Sequence, residues 1–233
     1  MRLKEKTENT PKTLLPISDK PLIQHILASL ADLSLSKVYI VNGFQGEKLR
    51  DVITGQNHKL PIEFLFNPNF HEGNLLTVFC GEKKMSDTFA VMNADHLYSK
   101  PIIKAISEWA LKPKDEITIV CDSERKLFED DMKVRLTKDG TLLEMDKKLP
   151  TWDKGYIGAT LIPKSLIRAY YMAAHEVLFE KGRQASCEMV LNKLASKGFV
   201  IKVLDVVNAP WIEVDTEEDL QKAQVIFDEK FPK

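Results

Sequence analysis

The sequence predicts an α/β protein, with a mostly parallel mixed sheet covered by helices and a small β-rich insertion. Short apolar runs rich in β-branched residues alternate with helix-periodic stretches of about ten residues as far as residue 121, the pattern of parallel strands joined by crossover helices. After Asp122 the texture changes: two apolar runs flank Asp139-Gly140, a hairpin turn signal. The chain has 233 residues, 44% of them hydrophobic, enough for one large or two small compact cores.

Each element has its own signal. Residues 21–33 place Leu22, Ile23, Ile26, Leu27, Leu30 and Leu33 on one helical face, and Pro21 suits the first turn. Residues 37–42 (KVYIVN), ending at Gly43, read as a strand buried on both faces. A helix is expected over 46–53, then a strand over 62–66 closed by Asn67-Pro68. Residues 75–85 read as a helix, and 88–92 (TFAVM) as a strand running into Asn93-Ala94-Asp95-His96. A helix over 101–111 and a strand over 116–121 complete the alternating part. The hairpin pairs 132–137 with 141–145, and 155–162 is a further strand. Helices over 164–181 and 187–197, a strand over 199–206 and a polar-faced helix over 216–227 end the chain. With no repeat, low-complexity tract or linker, residues 1–233 read as a single domain.

Composition excludes several function classes. Lys plus Arg number 33 against 34 Asp plus Glu, scattered along the chain, so no basic footprint marks a nucleic-acid partner. Cys80, Cys121 and Cys187 are widely spaced and lack a Cys-x-x-Cys pair, which reads as buried free thiols in a reducing compartment. The first ten residues are polar, without the apolar stretch of a secretory signal. No apolar run approaches the roughly 18–20 residues that span a bilayer. The expectation is a cytoplasmic protein with no membrane insertion. No Gly-x-Gly-x-x-Gly and no Gly-x-Ser-x-Gly occurs, which disfavours a dinucleotide oxidoreductase and a serine hydrolase.

Two carboxylates are candidates for chemistry. Asp95 lies just past the carboxyl end of a buried strand, where open α/β sheets bind ligands, so it is placed to hold a divalent cation or to cap the next helix. Asp215 lies in Trp211-Ile212-Glu213-Val214-Asp215-Thr216-Glu217-Glu218-Asp219-Leu220, where Asp215 or Thr216 can cap the last helix and the acids suit its dipole. Two carboxylates suit Mg2+, which keeps most of its waters and takes other ligands from phosphates. Only the fold could bring these two together. His96 reads as a neighbour that packs or hydrogen-bonds, Lys12 taken alone as a surface charge, and Asn74 taken alone as a helix cap.

Arg2-Leu3, Thr10-Pro11-Lys12-Thr13-Leu14-Leu15-Pro16-Ile17 and Lys20-Pro21-Leu22-Ile23 together resemble the back half of the opening motif of the sugar-phosphate nucleotidyltransferases. The resemblance implies that Lys12 neutralises phosphates and that Arg2 holds the departing pyrophosphate. Met92-Asn93-Ala94-Asp95-His96 resembles the family's Gly-Asp-His segment, and the Trp211 stretch its Trp-x-Asp-Val-Asp-Thr-x-x-Asp-Leu block, with Glu213 replacing the first Asp. By that likeness Asp95 and Asp215 are the magnesium ligands. Asn67-Pro68 followed by Gly73-Asn74-Leu75-Leu76-Thr77 is similar to the CTP-using branch, above all the inositol-1-phosphate cytidylyltransferases. That similarity places Asn67, Gly73 and Asn74 at the nucleotide. Glu144-Met145-Asp146-Lys147-Lys148-Leu149, Trp152-Asp153 and Tyr156-Ile157-Gly158 fit the same branch, although Asp146 stands for a glycine and Gly155-Tyr156-Ile157 replaces the more usual Asp-Thr run. Lys147 then meets the acceptor's phosphate, Gly158 lets backbone pass close to the acceptor, and Glu188 faces the sugar.

The likeness runs from Arg2 to Ala223. It implies a three-layer α/β/α Rossmann-like fold, with residues 1–121 as the nucleotide-binding half and 122–233 as the acceptor-binding half carrying the second metal ligand. It implies magnesium-dependent transfer of a cytidylyl group from CTP to a phosphorylated polyol such as inositol 1-phosphate, giving CDP-inositol and pyrophosphate. Hexose-1-phosphate or choline-phosphate nucleotidyl transfer is the alternative on the same scaffold. A non-catalytic homologue is the other, because the family's first strand and glycine-rich phosphate loop are absent ahead of Arg2. The expectation is that Met1 is an internal residue with that strand and loop upstream. A homodimer and a functional link to a separate membrane CDP-alcohol transferase are further expectations.

Overall fold

The computed structural model describes residues 9–31, 33–56, 58–112 and 114–230, with side chains as far as residue 225. A 3-10 turn at Lys12–Leu14 leads into the short strands β1 (Pro16–Ile17) and β2 (Lys20–Pro21) and helix α1 (Leu22–Leu30). Then come β3 (Val38–Asn42), α2 (Gly46–Thr54), β4 (Ile62–Phe66), α3 (Leu75–Phe79), β5 (Phe89–Met92), β6 (His96–Tyr98) and α4 (Lys100–Ala110). The second half has β7 (Ile117–Asp122), β8 (Lys133–Leu136), β9 (Leu142–Asp146), β10 (Lys154–Ile162), α5 (Ile167–Lys181), α6 (Glu188–Ser196), β11 (Ile201–Asp205), β12 (Trp211–Glu213) and α7 (Glu217–Lys230).

The chain divides into two compact units, one of residues 1–68, 93–108 and 209–233, the other of 69–92 and 109–208. It crosses between them four times, so neither unit is a consecutive half of the sequence.

Among the described residues of the first unit, two apolar clusters share one helix. Helix α1 turns Leu22 and Ile26 into a cluster with Leu15, Ile17, Leu97, Ile212, Val214 and Leu220. It turns Ile23 and Leu27 into another with Leu14, Leu49, Ile53 and Leu60, packed by Val38, Ile40, Ile62 and Phe64 of β3 and β4. A helix apolar on two sides is one buried on two sides. β3 and β4 pair in parallel, Val38 opposite Ile62. β6 and β12 pair antiparallel, His96 opposite Glu213.

The second unit is built on a six-stranded sheet ordered β11-β7-β10-β8-β9, with β5 also on β10. β7 and β11 run parallel; β10 is antiparallel to β5, β7 and β8. Ile117, Ile119, Cys121, Val134, Met145, Ile162 and Ile201 meet Tyr170, Ala174, Val177, Leu191 and Leu194 of α5 and α6 in one core. Gly158 takes φ +76° in β10, where the register shifts between Tyr156 and Thr160. Only glycine accepts such a bulge conformation without strain.

Most expected elements form, with differences that have physical causes. The helix expected over 75–85 stops at Phe79, followed by a 3-10 turn at Glu82–Lys84 after Gly81. Residues 164–166 are 3-10 and the α-helix proper begins at Ile167. The mixed character expected of the sheet is present among the described residues: β3–β4 and β7–β11 pair in parallel, in separate sheets, and antiparallel β10 holds the middle of the larger one. Strand β3 is only half-buried at Val38–Val41, because among the described residues it pairs with β4 alone. The short strands β6 and β12 were not expected, and they matter most for the site. No helix among the described residues is long and apolar enough to cross a membrane.

Candidate active site

The first unit assembles the charged residues. Val214 N–H donates to the Asp95 carbonyl at 3.0 Å, extending the β6–β12 ladder by one step on each strand. Asp95 therefore leaves one strand, and Asp215 the other, at the same end of the ladder. The distant carboxylates become neighbours through three residue pairs of backbone pairing.

Asp215 is free for this role because its neighbour caps the helix. Asp219 N–H donates to Thr216 Oγ1 at 3.1 Å and Thr216 N–H donates to Asp219 Oδ2 at 2.9 Å, a reciprocal capping box opening α7. Of the two capping candidates, Thr216 takes the task.

Lys12 closes the cluster. Its 3-10 turn is set by Leu14 N–H donating to the Pro11 carbonyl at 2.8 Å. The Lys12 ammonium donates to Asp95 Oδ2 at 2.8 Å and also to Asp215 Oδ1. Burial works to lower the Lys12 pKa, but the Asp95 and Asp215 carboxylates together hold it above the ordinary lysine value. Asp95 answers in kind. Burial would raise its pKa, but the hydrogen bond and charge of His96, with the Lys12 ammonium, hold it well below the usual carboxylate range.

His96 and Glu213 form the next layer. His96 Nδ1 lies 2.7 Å from Asp95 Oδ1 and Nε2 lies 3.9 Å from Glu213 Oε2. Ligand atoms of Asp95, His96 and Glu213 all fall within 4.8 Å of one another. Burial, then the Asp215 and Asp95 charges against the pull of His96, pushes the Glu213 carboxyl up to about 7.

Two carboxylate oxygens converge on the Lys12 ammonium, and such a pair of hard-oxygen donors facing one point fits Mg2+. Asp95 and Asp215 are the residues that would hold it. The cluster suits a polyanion that arrives with a divalent cation.

The other expected site residues distribute as follows. Arg2 lies outside the described residues. Asn67 is buried in the first unit, its N–H donating to the Asn42 carbonyl at 2.8 Å. In the second unit Gly73 N–H donates to the Arg183 carbonyl at 2.8 Å, and a Cβ there would stand 2.1 Å from the Ala185 carbonyl oxygen. Close backbone approach therefore requires this glycine. Asn74 makes no side-chain cap on its own helix; its Oδ1 accepts from Cys187 N–H at 2.8 Å, at the start of α6. Glu188, the first residue of α6, is buried, and it joins burial in pushing the Cys187 thiol up. Asn192 ties the same helix to β9 through both the N–H and the carbonyl of Met145, each at 2.8 Å.

Lys147 is exposed, with its carbonyl accepting from Lys133 at 2.7 Å. The buried Lys133 ammonium also donates to the carbonyls of Phe128, Glu129 and Asp131 and lies 5.4 Å from the Trp152 ring. The sequence reading missed Lys133, whose alternation within a strand looks like any solvated lysine. It also undervalued Glu213, which stands at a position the motif marks as acidic.

An α/β chain with this cluster at its strand ends is of the phosphate-handling class, and comparison with known proteins gives it a family. The chain belongs to the family described as MobA-like NTP transferase domain, whose profile matches residues 2–202. It is 24% identical over 225 residues to the bifunctional IPC transferase and DIPP synthase of Aquifex aeolicus, a match covering 96% of this chain and 48% of that protein. It is 24% identical over 246 residues to the CTP:phosphoglutamine cytidylyltransferase of Campylobacter jejuni, covering 94% and 93% of the two. The chain thus spans about half the length of the bifunctional relative and nearly all of the second. Among solved structures, the inositol-1-phosphate CTP transferase from T. maritima superposes with a TM-score of 0.78 at 19% identity, over 97% of this chain and 91% of that one. The α/β nucleotidyltransferase fold expected from the sequence is the fold of this chain.

Proposed function

We propose that this chain transfers a cytidylyl group from CTP to a phosphorylated polyol, inositol 1-phosphate first among them, and releases pyrophosphate. The observation that carries the reading is the convergence of Asp95 and Asp215 on the Lys12 ammonium. Relatives named for cytidylyl or inositol-phosphate chemistry support the base and the acceptor class. We place the reaction in the cytoplasm, in keeping with three free thiols.

The acceptor phosphate is already an anion, so its oxygen can attack the α-phosphorus without a strong general base. Rate enhancement then rests on positioning and charge neutralisation. Lys12, kept protonated by its carboxylate neighbours, would turn to phosphate oxygens and offset the charge gathering on the departing pyrophosphate. Asp95 and Asp215 would hold Mg2+, which when bound neutralises phosphate oxygens of the nucleotide. Asn67 and Asn74 would lie near the nucleotide, with Gly73 letting backbone segments approach closely. Lys147 would meet the acceptor phosphate, Gly158 would present backbone to the acceptor, and Glu188 would face the polyol hydroxyls.

The test is pyrophosphate release by the full chain with Mg2+ and CTP, offering inositol 1-phosphate, glucose 1-phosphate and phosphocholine in parallel. Release that is fastest with inositol 1-phosphate and vanishes in Asp95→Ala supports the proposal. Release with another acceptor keeps the reaction class and replaces the acceptor. No release with any of them from folded protein overturns this reading for the chain as given, and repeating the assay on an upstream-extended chain separates a non-catalytic homologue from one that needs the phosphate loop.

A further inference from the structure

We propose that His96 is a positioning residue for the cation site: it locks the Asp95 carboxylate so that Oδ2 alone faces the point shared with Lys12 and Asp215. The inference rests on the reading of Asp95 and Asp215 as metal ligands.

The local structure makes His96 unusually immobile. In the β6–β12 ladder His96 lies opposite Glu213 and Tyr98 opposite Trp211, so these four side chains share one face. The His96 ring lies almost parallel to the Trp211 indole, 4° between planes with centroids 5.6 Å apart. It also stacks on Tyr98 at 5.9 Å. Its side chain is 4% exposed. A ring held between such neighbours cannot swing away.

Chemistry then fixes which nitrogen carries a proton. An ionised carboxylate only accepts hydrogen bonds, so at 2.7 Å from Asp95 Oδ1 the His96 Nδ1 must be the donor. A carboxylate otherwise turns freely about its last torsion, which has broad, roughly two-fold wells. Left alone, Asp95 could present either oxygen or both. With Oδ1 engaged by a fixed ring, Oδ2 is the oxygen that meets Lys12 at 2.8 Å. Mg2+ demands near-octahedral geometry and tolerates a misdirected ligand poorly. Partners that orient first ligands in this way typically change metal affinity by about 10–100-fold when removed.

Two substitutions separate this role from packing. His96→Phe keeps an aromatic ring against Trp211 and Tyr98 but removes the donor. His96→Asn loses the ring and returns an N–H near the Nδ1 position. Binding of Mn2+ alone to the full chain, read from the free-ion signal in electron paramagnetic resonance, is expected to weaken about 10–100-fold in His96→Phe. His96→Asn should recover most of that loss. Equal losses in both variants, or wild-type affinity in His96→Phe, would overturn the proposal. Asp95→Ala is the parallel arm: if it keeps Mn2+ binding, the metal reading itself fails, whereas loss there with wild-type affinity in His96→Phe sinks only the role of His96. A readout that needs no variant is the tautomer. Nitrogen-15 spectra of wild-type protein should show a protonated Nδ1 on His96, and a neutral ring protonated only at Nε2 would exclude it.

Discussion

Strands β3 and β7 read almost alike in sequence, VYIVN and ITIVCD, yet they end in different surroundings. Every residue of β7 is buried, with β10 on one edge and β11 on the other. β3 has a ladder to β4 alone among the described residues and stays half-buried over its first four positions. Composition selects a strand; the neighbours decide how much of it leaves water. The same contrast separates the units as wholes. The second gathers one large apolar core around its six-stranded sheet. The first has, among its described residues, two smaller clusters, and it sets Lys12, Asp95, His96, Glu213 and Asp215 at the end of a three-pair ladder. One unit is organised mainly by packing, the other is organised at its site by charge.

The largest expected effect would break the charged side of that contrast. Asp95→Ala should lower pyrophosphate release by about a thousandfold, in the range found when a group stabilising charge in a transition state is deleted. Some thermal stability should go with it, because the His96 and Lys12 interactions that hold this carboxyl below its ordinary range also favour the folded state, but unfolding should stay cooperative. A variant that loses its cooperative unfolding along with its activity would mean that Asp95 belongs to the framework.

Next comes the packing side. Ile119 is fully buried in β7, and Ile119→Ala should cost about 3–4 kcal/mol. Ile40→Ala in β3 should cost about half as much, since a half-buried side chain loses less transfer energy and leaves less cavity. Urea unfolding of the two variants measures the difference. Equal costs would show that β3 is packed as tightly as β7 in solution.

How far the sequence disclosed this arrangement follows from the same contrast. Leu22, Ile23, Ile26 and Leu27 announce helix α1 by spacing, and Asp139-Gly140 announces the hairpin, because both signals are local. The three-residue strands β6 and β12 are too short to carry any periodicity, and they pair only because the intervening chain returns. Asp95 and Asp215 were legible as residue types in a resembling motif, but their meeting depends on that pairing. His96 and Lys133 were not legible as working groups: one reads as a packed ring and the other as a surface charge, and only three-dimensional neighbours give them their tasks. Gly73 and Asn74 carried a motif for the nucleotide, and the bonds they make hold the backbone at residues 183–187.

A third substitution sharpens the charge side. Lys12→Met should slow pyrophosphate release by about a hundredfold through loss of a group that offsets phosphate charge. The same change should strengthen binding of Mn2+ in the absence of nucleotide by about tenfold, because the ammonium now on Asp95 and Asp215 would no longer compete with or repel the ion. Opposite signs in the two measurements are the distinguishing result. Weaker Mn2+ binding in Lys12→Met would mean that the lysine organises the carboxylates instead of standing in for the cation.

The smallest effect separates two adjacent residues. Thr216 serves the helix and Asp215 serves the charge cluster, although either could cap α7 from sequence alone. Thr216→Ala removes the hydroxyl that accepts from Asp219 N–H and should cost about 1 kcal/mol of stability, while Mn2+ binding holds. Asp215→Asn should do the reverse, leaving the cap and the unfolding midpoint in place while Mn2+ binding falls. A loss of Mn2+ binding in Thr216→Ala would show that the capping box also sets the direction of Asp215, for which the contact between Asp215 N–H and Asp219 Oδ2 at 3.3 Å is the available route. In that case framework and chemistry would be one structure at this corner of the first unit, and the division of labour drawn between Thr216 and Asp215 would give way.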